Sequence, residues 1–212
     1  MTAPFDPDCR RCPRLASFLD EVQAKHPEYH CRPVAPFGDA EARLLIVGLA
    51  PGMHGANATG RPFTGDYAGV LLYETLHQYG FSTAPVSESV DDGLQLRRAR
   101  ITNAVKCLPP ENKPVGAEIN TCNEFLRGEL AAMPEGAVIL ALGGIAHRAV
   151  LRARGERQAS FKFGHLAEHE IDGLTLLDSY HCSRYNTNTG RLTAEMFAAV
   201  FARAKELLDA RV

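Results

Sequence analysis

A chain of 212 residues that is 45% hydrophobic and 23% charged has the make-up of one globular domain, 1–212, with a sizeable core. Its formal net charge of −2 excludes a general electrostatic pull on nucleic acid, so contact with a polyanion must come from local basic surface. No apolar run reaches membrane-spanning length and MTAPFDPDCRRC is no signal peptide; this points to the cytoplasm, where six cysteines are metal ligands or buried thiols rather than disulfides.

Residues 1 to about 40 read as an irregular, proline-rich segment with one short helix, Leu15 to Lys25, in which Leu15, Phe18, Leu19 and Val22 recur at helical spacing. A C-x-x-C pair, Cys9 and Cys12, precedes it. The first strand is Leu44 to Leu49. It opens into a long polar loop, GLAPGMHGANATGRPFTGD, before a helix over Tyr67 to Tyr79 that Gly80 ends. A loop of this length inside a compact domain is usually functional. It fits neither a dinucleotide fingerprint nor a phosphate loop. Residues 82–97 lack a period and read as loop. A second strand covers Arg100 to Cys107, with Ile101, Asn103, Val105 and Cys107 on one face. After Pro109, Pro110 and Pro114 comes a helix, Ala117 to Met133, whose inward face is Ile119, Cys122, Phe125, Leu126 and Leu130. The third strand is Ala137 to Leu142, followed by Gly143-Gly144 and a helix over Ile145 to Arg154. Residues 155–170 carry no clear pattern. The fourth strand, Leu174 to Ser179, leads into HCSRYNTNTGRLT. Thr193 caps the last helix, which turns Phe197, Val200, Phe201, Ala204 and Leu208 inward.

Short apolar strands alternating with helices predict an α/β fold: a parallel sheet covered on both faces. Ligands of such sheets bind beyond the carboxyl ends of the strands. The long loop, Asn103, the Gly143-Gly144 turn and the His181 loop all fall there. Cys9, Cys12, Cys107 and Cys122 could meet at one edge and bind zinc or an iron–sulfur cluster, although the spacing is not the usual two-knuckle zinc pattern. A buried, inert thiol is the plainer alternative for Cys122. Cys31 and Cys182 are left over as a loop thiol and a small buried residue. Candidate basic surface lies at Arg10, Arg11 and Arg14, at Arg97, Arg98 and Arg100, and at Arg184 and Arg191.

GLAPGMHGANATGRPFTGD, ITNAVKC and HCSRYNTNTGRLT, in this order and with the four cysteines, resemble the uracil-DNA glycosylase superfamily. The closest likeness is to its iron–sulfur group, family 5 or type B, and it spans about residues 9–193. The resemblance implies a three-layer α/β/α fold around a four-stranded parallel sheet. It implies a [4Fe–4S] cluster on Cys9, Cys12, Cys107 and Cys122, two of them supplied by the N-terminal segment. It also implies a monomeric, monofunctional hydrolase that starts base excision repair. Its partner would be uracil-containing double-stranded DNA, and single-stranded DNA is the open alternative. The sequence departs from the type B pattern at Gly52 (usually Ala), Ala58 (usually Arg), Cys182 and Tyr185 (usually Val and Gln) and Asn188 (usually aromatic).

By the same resemblance, Phe63 would stack on the flipped base, with Gly48, Ala50, Pro51, Gly52 and His54 around it. Asn103 would read the Watson–Crick edge: its amide accepts from uracil N3–H and donates to O4, a pattern that cytosine reverses. His181 would donate to uracil O2 as negative charge grows there. The acid that many relatives carry beside the first motif's proline is absent from Gly48-Leu49-Ala50-Pro51-Gly52. Asp66 resembles the substitute, although FTGDYAG fits a helix cap equally well. Asn57 and His54 would hold the water or a phosphate. Arg184, Tyr185 and Arg191 would face DNA. The rival readings are an iron–sulfur electron carrier and a non-catalytic nucleic-acid-binding module with structural zinc.

Overall fold

The computed structural model describes residues 4–210. One six-stranded sheet forms the middle layer, built from β1 (Phe37–Gly38), β2 (Leu44–Gly48), β3 (Ala99–Asn103), β4 (Val138–Leu142), β5 (Glu168–Ile171) and β6 (Leu174–Ser179). Its order is β1-β3-β2-β4-β6-β5. The four central strands are parallel, with Gly48 opposite Asn103 and Leu140 opposite Leu177. They are the four strands that the sequence predicts. Two antiparallel edge strands add to them. β1 is too short to show a period. β5 is EHEI, an edge strand with exposed glutamates that reads like loop. Asp172 and Gly173 both have positive φ, 47° and 77°, and form the two-residue turn of the β5–β6 hairpin.

The alternation of β2 divides the core. Leu44 and Ile46 face α3 (Tyr67–Gln78) and α7 (Ala194–Asp209), meeting Leu72, Leu76, Phe197 and Phe201. Leu45 and Val47 face α4 (Gly116–Ala131) and α5 (Gly144–Ala153), meeting Leu126, Leu130, Ala149 and Val150. The sheet is thus buried on both faces, which is why β2 and β4 read as unbroken apolar runs, while β3 (ARITN) and β6 (LTLLDS) mix in polar residues. α1 (Pro13–Lys25) lies outside this sandwich. Its Leu15 packs with Val105, Cys122 and Phe125, and its Leu19 and Val22 with Leu108.

β3 stops at Asn103, short of Cys107, although its pairing to the β2 side continues through Ala104 N–H to Gly48 C=O and Val105 N–H to Leu49 C=O. The chain turns inward there because the Lys106 ammonium is buried. It donates to Thr102 Oγ1 at 2.5 Å, Asn103 C=O at 2.9 Å and Glu129 Oε1 at 2.7 Å. Two short helices also interrupt stretches read as loop: α2 (Ala56–Thr59) and α6 (Arg184–Asn188). No helix among the described residues is long and apolar enough to cross a membrane.

Candidate active site and cysteine centre

A cavity of about 490 Å³ opens at the carboxyl ends of the parallel strands, lined by Ala50, Gly52, Phe63, Asp66, Asn103 and His181. β2 delivers Gly48 and the long loop, β3 delivers Asn103, and β6 delivers His181. Gly48 permits their approach: a Cβ there would stand 2.4 Å from Asn103 Oδ1 and 2.6 Å from Phe63 Cζ. Any side chain at position 48 would therefore displace both.

Phe63 is buried and held at φ 56°, a left-handed conformation that costs a non-glycine residue roughly 1–3 kcal/mol. The surrounding loop over-determines it. Arg61 is buried, paired with Asp92 at 2.8 Å and donating to Val90 C=O at 2.8 Å. Tyr73 donates to Pro62 C=O at 2.9 Å, and Thr64 Oγ1 lies 2.7 Å from Ser87 Oγ. The Phe63 ring lies nearly parallel to the His181 ring, with centroids 5.9 Å apart. Sequence reasoning missed the Arg61–Asp92 anchor because its partner sits in the aperiodic 82–97 stretch.

Asn103 is 3% exposed, and its Oδ1 is buried with no hydrogen-bond partner. Buried polar atoms are rarely left unpaired, so an orphan acceptor in a cavity wall marks a place for an incoming donor. The carbonyl of the same residue is fixed by the Lys106 ammonium. His181 Nδ1 is likewise buried and unpartnered, and burial pushes this imidazole down to about 4. It is therefore neutral at pH 7, able to donate through one ring nitrogen without carrying charge. Asn186 Nδ2 donates to His181 C=O at 2.8 Å and anchors the segment at the start of α6.

Asp66 does both things that its sequence allowed. Its Oδ1 accepts from Gly69 N–H at 2.9 Å and caps α3. Its Oδ2 faces the loop on the cavity side, where a Cβ on Gly55 would stand 2.6 Å away and one on Gly52 3.5 Å away. Burial raises its pKa, partly offset by backbone N–H groups of Gly69 and Ala68.

Of the other predicted site residues, His54, Asn57 and Pro51 are not part of the cavity wall. His54 is exposed and bonded through Nδ1 to Tyr29 O–H at 2.8 Å. Asn57 is fully buried beneath the loop, its Nδ2 donating to Cys31 Sγ at 3.5 Å. Pro51 is buried behind the wall. Arg184 reaches the cavity rim and lies 5.1 Å over the Tyr67 ring. Tyr185 is 72% exposed beside it, and Arg191 covers Tyr180 at 4.7 Å. Arg97, Arg98 and Arg100 stand at the amino end of β3, opposite the cavity, where Arg98 pairs with Asp209 at 3.6 Å.

The cysteine centre is built where α1, the β3 exit and α4 meet. Cys9, Cys12, Cys107 and Cys122 line one small hollow with Leu15, Val105 and Phe125. Lys106 N–H donates to Cys122 Sγ at 3.2 Å. Burial and then the neighbouring thiols push Cys107 up to about 12, and burial pushes Cys122 up to about 11. Four sulfurs lining one hollow form a donor set suited to a metal. Cys31 and Cys182 are buried elsewhere, and neither lines the hollow.

Comparison with known proteins agrees with this geometry. A family model described as the uracil DNA glycosylase superfamily matches residues 35–205. A "Type-5 uracil-DNA glycosylase" of Thermus thermophilus is 48% identical over 205 residues, covering 94% of this chain and 93% of that protein. One of Pyrobaculum aerophilum is 46% identical over 201 residues, covering 93% and 88%. Among solved structures, wild-type Pedobacter heparinus SMUG2 matches with a TM-score of 0.52 and 14% identity, covering 98% of this chain and 94% of that one, a likeness of fold. With four parallel strands, a cavity at their carboxyl ends and close sequence relatives over nearly its whole length, the chain belongs to the uracil-DNA glycosylase superfamily.

Proposed function

We infer that the chain is a uracil-DNA glycosylase, a hydrolase of N-glycosyl bonds that acts in DNA repair. The observation that carries this reading is the orphan acceptor Asn103 Oδ1 in a cavity shared with Phe63 and a neutral His181. A base must leave the stack to be reached. Phe63 would receive its face. Asn103 Oδ1 would accept from uracil N3–H while the amide N–H donates to O4, and cytosine would present a donor to a donor.

Breaking the N1–C1′ bond leaves its electron pair on the base and positive charge on the sugar. His181 donates to O2 as charge grows there, with no proton to gain first because it is neutral. Water then adds to C1′, and Asp66 Oδ2, the carboxylate oxygen not used by the cap, takes its proton. The base leaves as an anion and is protonated later by solvent.

The four cysteines would hold an iron–sulfur cluster. In support, Cys9, Cys12, Cys107 and Cys122 line one hollow, and neither Cys31 nor Cys182 does. Bound there, the group would act as a cross-link between the N-terminal segment, the β3 exit and α4. Such a site needs reduced thiols, which fits the cytoplasm.

The working partner would be duplex DNA, with Arg184 and Tyr185 entering the gap left by the base and Arg191 near a phosphate. We read the protein as a monomer. Incubation with a duplex carrying one uracil, followed by alkali, tests the activity, and strand cleavage is expected. His181→Ala should lower single-turnover excision about 10²–10³-fold, with a smaller loss on 5-fluorouracil, whose anion needs less help. No cleavage by the unaltered protein would reject the reading, and equal losses on both bases would remove His181 from the leaving group.

A further inference from the structure

A second hollow, of about 180 Å³, lies between α4 and α5 and is lined by polar and basic groups that include Asn120, Arg148, Arg152 and Gln158. Ile145 borders both this hollow and the base cavity, so the two adjoin at the start of α5. Arg148 reaches the shared rim: a Cβ on Gly144, which itself lines the base cavity, would stand 3.4 Å from Arg148 Nη1. No carboxylate lines the hollow.

Several arginines away from the cavity are neutralised by ion pairs. On the flanks Arg14 pairs with Glu118, Arg61 with Asp92 and Arg203 with Glu168. At the far end of α5, Arg154 pairs with Asp172. Arg148 and Arg152 are exposed and, among the described residues, make no ion pair. The same holds for Arg184 and Arg191 around the cavity mouth. In a chain of net charge −2, a polyanion must be met by local basic surface, and Arg148 and Arg152 supply one beside the base cavity in a hollow without carboxylates.

We propose that the α4–α5 groove carries the phosphodiester backbone of the DNA strand leading away from the flipped nucleotide, with Arg148 and Arg152 each taking a phosphate. Residues four apart on a helix are displaced by about 6 Å along its axis, so each guanidinium can meet its own phosphate. Arginine suits the task, since its planar fork binds phosphate oxygens in pairs. Asn120 and Gln158 add neutral donors between them. The proposal rests on the glycosylase reading and assigns it a strand path.

The test is binding of the full chain to a duplex carrying a tetrahydrofuran abasic site, followed by fluorescence anisotropy across a salt series. Each phosphate contact contributes about 0.9 to the slope of log K against log salt. Arg148→Ala/Arg152→Ala should make that slope shallower by about 2. Arg148→Lys/Arg152→Lys should restore most of it, because charge sets the slope. Arg97→Ala, at the opposite end of the sheet, should leave it unchanged. A double alanine variant with the parental slope, or an equal loss from Arg97→Ala, would overturn the groove. The unaltered protein is assayed on a uracil duplex in parallel. No excision there would overturn both readings, whereas excision with an unchanged slope in the double variant would overturn the groove alone.

Discussion

The base cavity and the cysteine centre are both unfinished without something bound, and they are unfinished in opposite ways. The cavity wall has polar atoms with nothing to bond: Asn103 Oδ1 and His181 Nδ1. The cysteine hollow gathers groups of one kind, four thiols, of which burial holds Cys12, Cys107 and Cys122 above their ordinary range. The first is complementary to a neutral base with donors and acceptors on its edge. The second is complementary to a compact cation. Yet only three residues of chain lie between Asn103 and Cys107. Lys106 holds the two together, donating from its ammonium to the Asn103 carbonyl and from its backbone to Cys122 Sγ. A shared strut means that damage should travel from the cysteine side to the cavity more readily than the reverse.

The largest effect should come from breaking the cysteine side. Cys107→Ser should abolish visible absorption and leave little soluble protein, because binding energy at such a site is also folding energy. Cys31→Ser, outside the hollow, should keep the colour. Iron content and absorption of the anaerobically purified proteins decide the matter. Zinc without iron in the unaltered protein would sink the cluster.

Asn103→Asp should do the reverse: the colour stays and the chemistry goes. A carboxylate cannot donate to uracil O4, and sites that read polar edges discriminate by about 10⁴ or more. Uracil excision should fall by about that factor, while weak action on cytosine appears. A folded, coloured variant with full uracil activity would take Asn103 out of base reading.

Lys106 tests the link between the two sites. Lys106→Met leaves Glu129, largely buried, without its partner, which typically costs about 3–5 kcal/mol. Replacing both, Lys106→Met/Glu129→Leu, should recover most of the melting temperature, since apolar pairs replace buried ion pairs at little cost. The recovered protein should keep its iron but still excise more slowly, because the Asn103 carbonyl has lost its donor. Full activity in that variant would reduce Lys106 to a packing residue.

The sequence made the cavity more legible than its supports. Unbroken apolar runs located Leu44–Gly48 and Val138–Leu142, because strands buried on both faces leave that pattern, while Ala99–Asn103 was read from alternation. The edge strands escaped for the opposite reason. Glu168–Ile171 is half exposed, and the informative signal was the Asp172-Gly173 turn rather than any periodicity. The shared position of Phe63, Asn103 and His181 was legible because the long loop, the end of β3 and the β6 exit all fall at one end of the sheet; their roles came from the family resemblance. Arg61–Asp92 and Lys106–Glu129 were not legible, since each joins side chains 23 or more residues apart, which no local period reveals. His54 and Asn57 sit in the same loop as Phe63, but proximity in the chain did not carry them to the wall. The Cys31 contact draws Asn57 toward the N-terminal segment, and Tyr29 draws His54 outward.

The smallest effect should fall on Asp66, whose two oxygens divide the labour. Oδ1 caps α3, and asparagine can supply the same acceptor. Oδ2 faces the loop, where only a carboxylate can take a proton from water. Asp66→Asn should therefore keep the helix and lower single-turnover excision by no more than about 10²-fold, the lower end for general-base help. Asp66→Ala should lose more, because removing a cap costs roughly another 1 kcal/mol of stability. The pH profile separates the roles. Burial raises the Asp66 pKa, so the parental rate should fall on acidification sooner than an ordinary carboxylate near 3.9 would require. The Asp66→Asn rate should be flat over that range. The comparison has to stay within the folded state. His181 titrates near 4 when folded and near 6.5 when unfolded, so the unfolded chain binds that proton first and stability drops as pH falls between those values. Melting curves at each pH therefore accompany the rates. A profile that is identical in parent and variant, with both folded, would leave Asp66 as the helix cap and return water activation to the loop backbone.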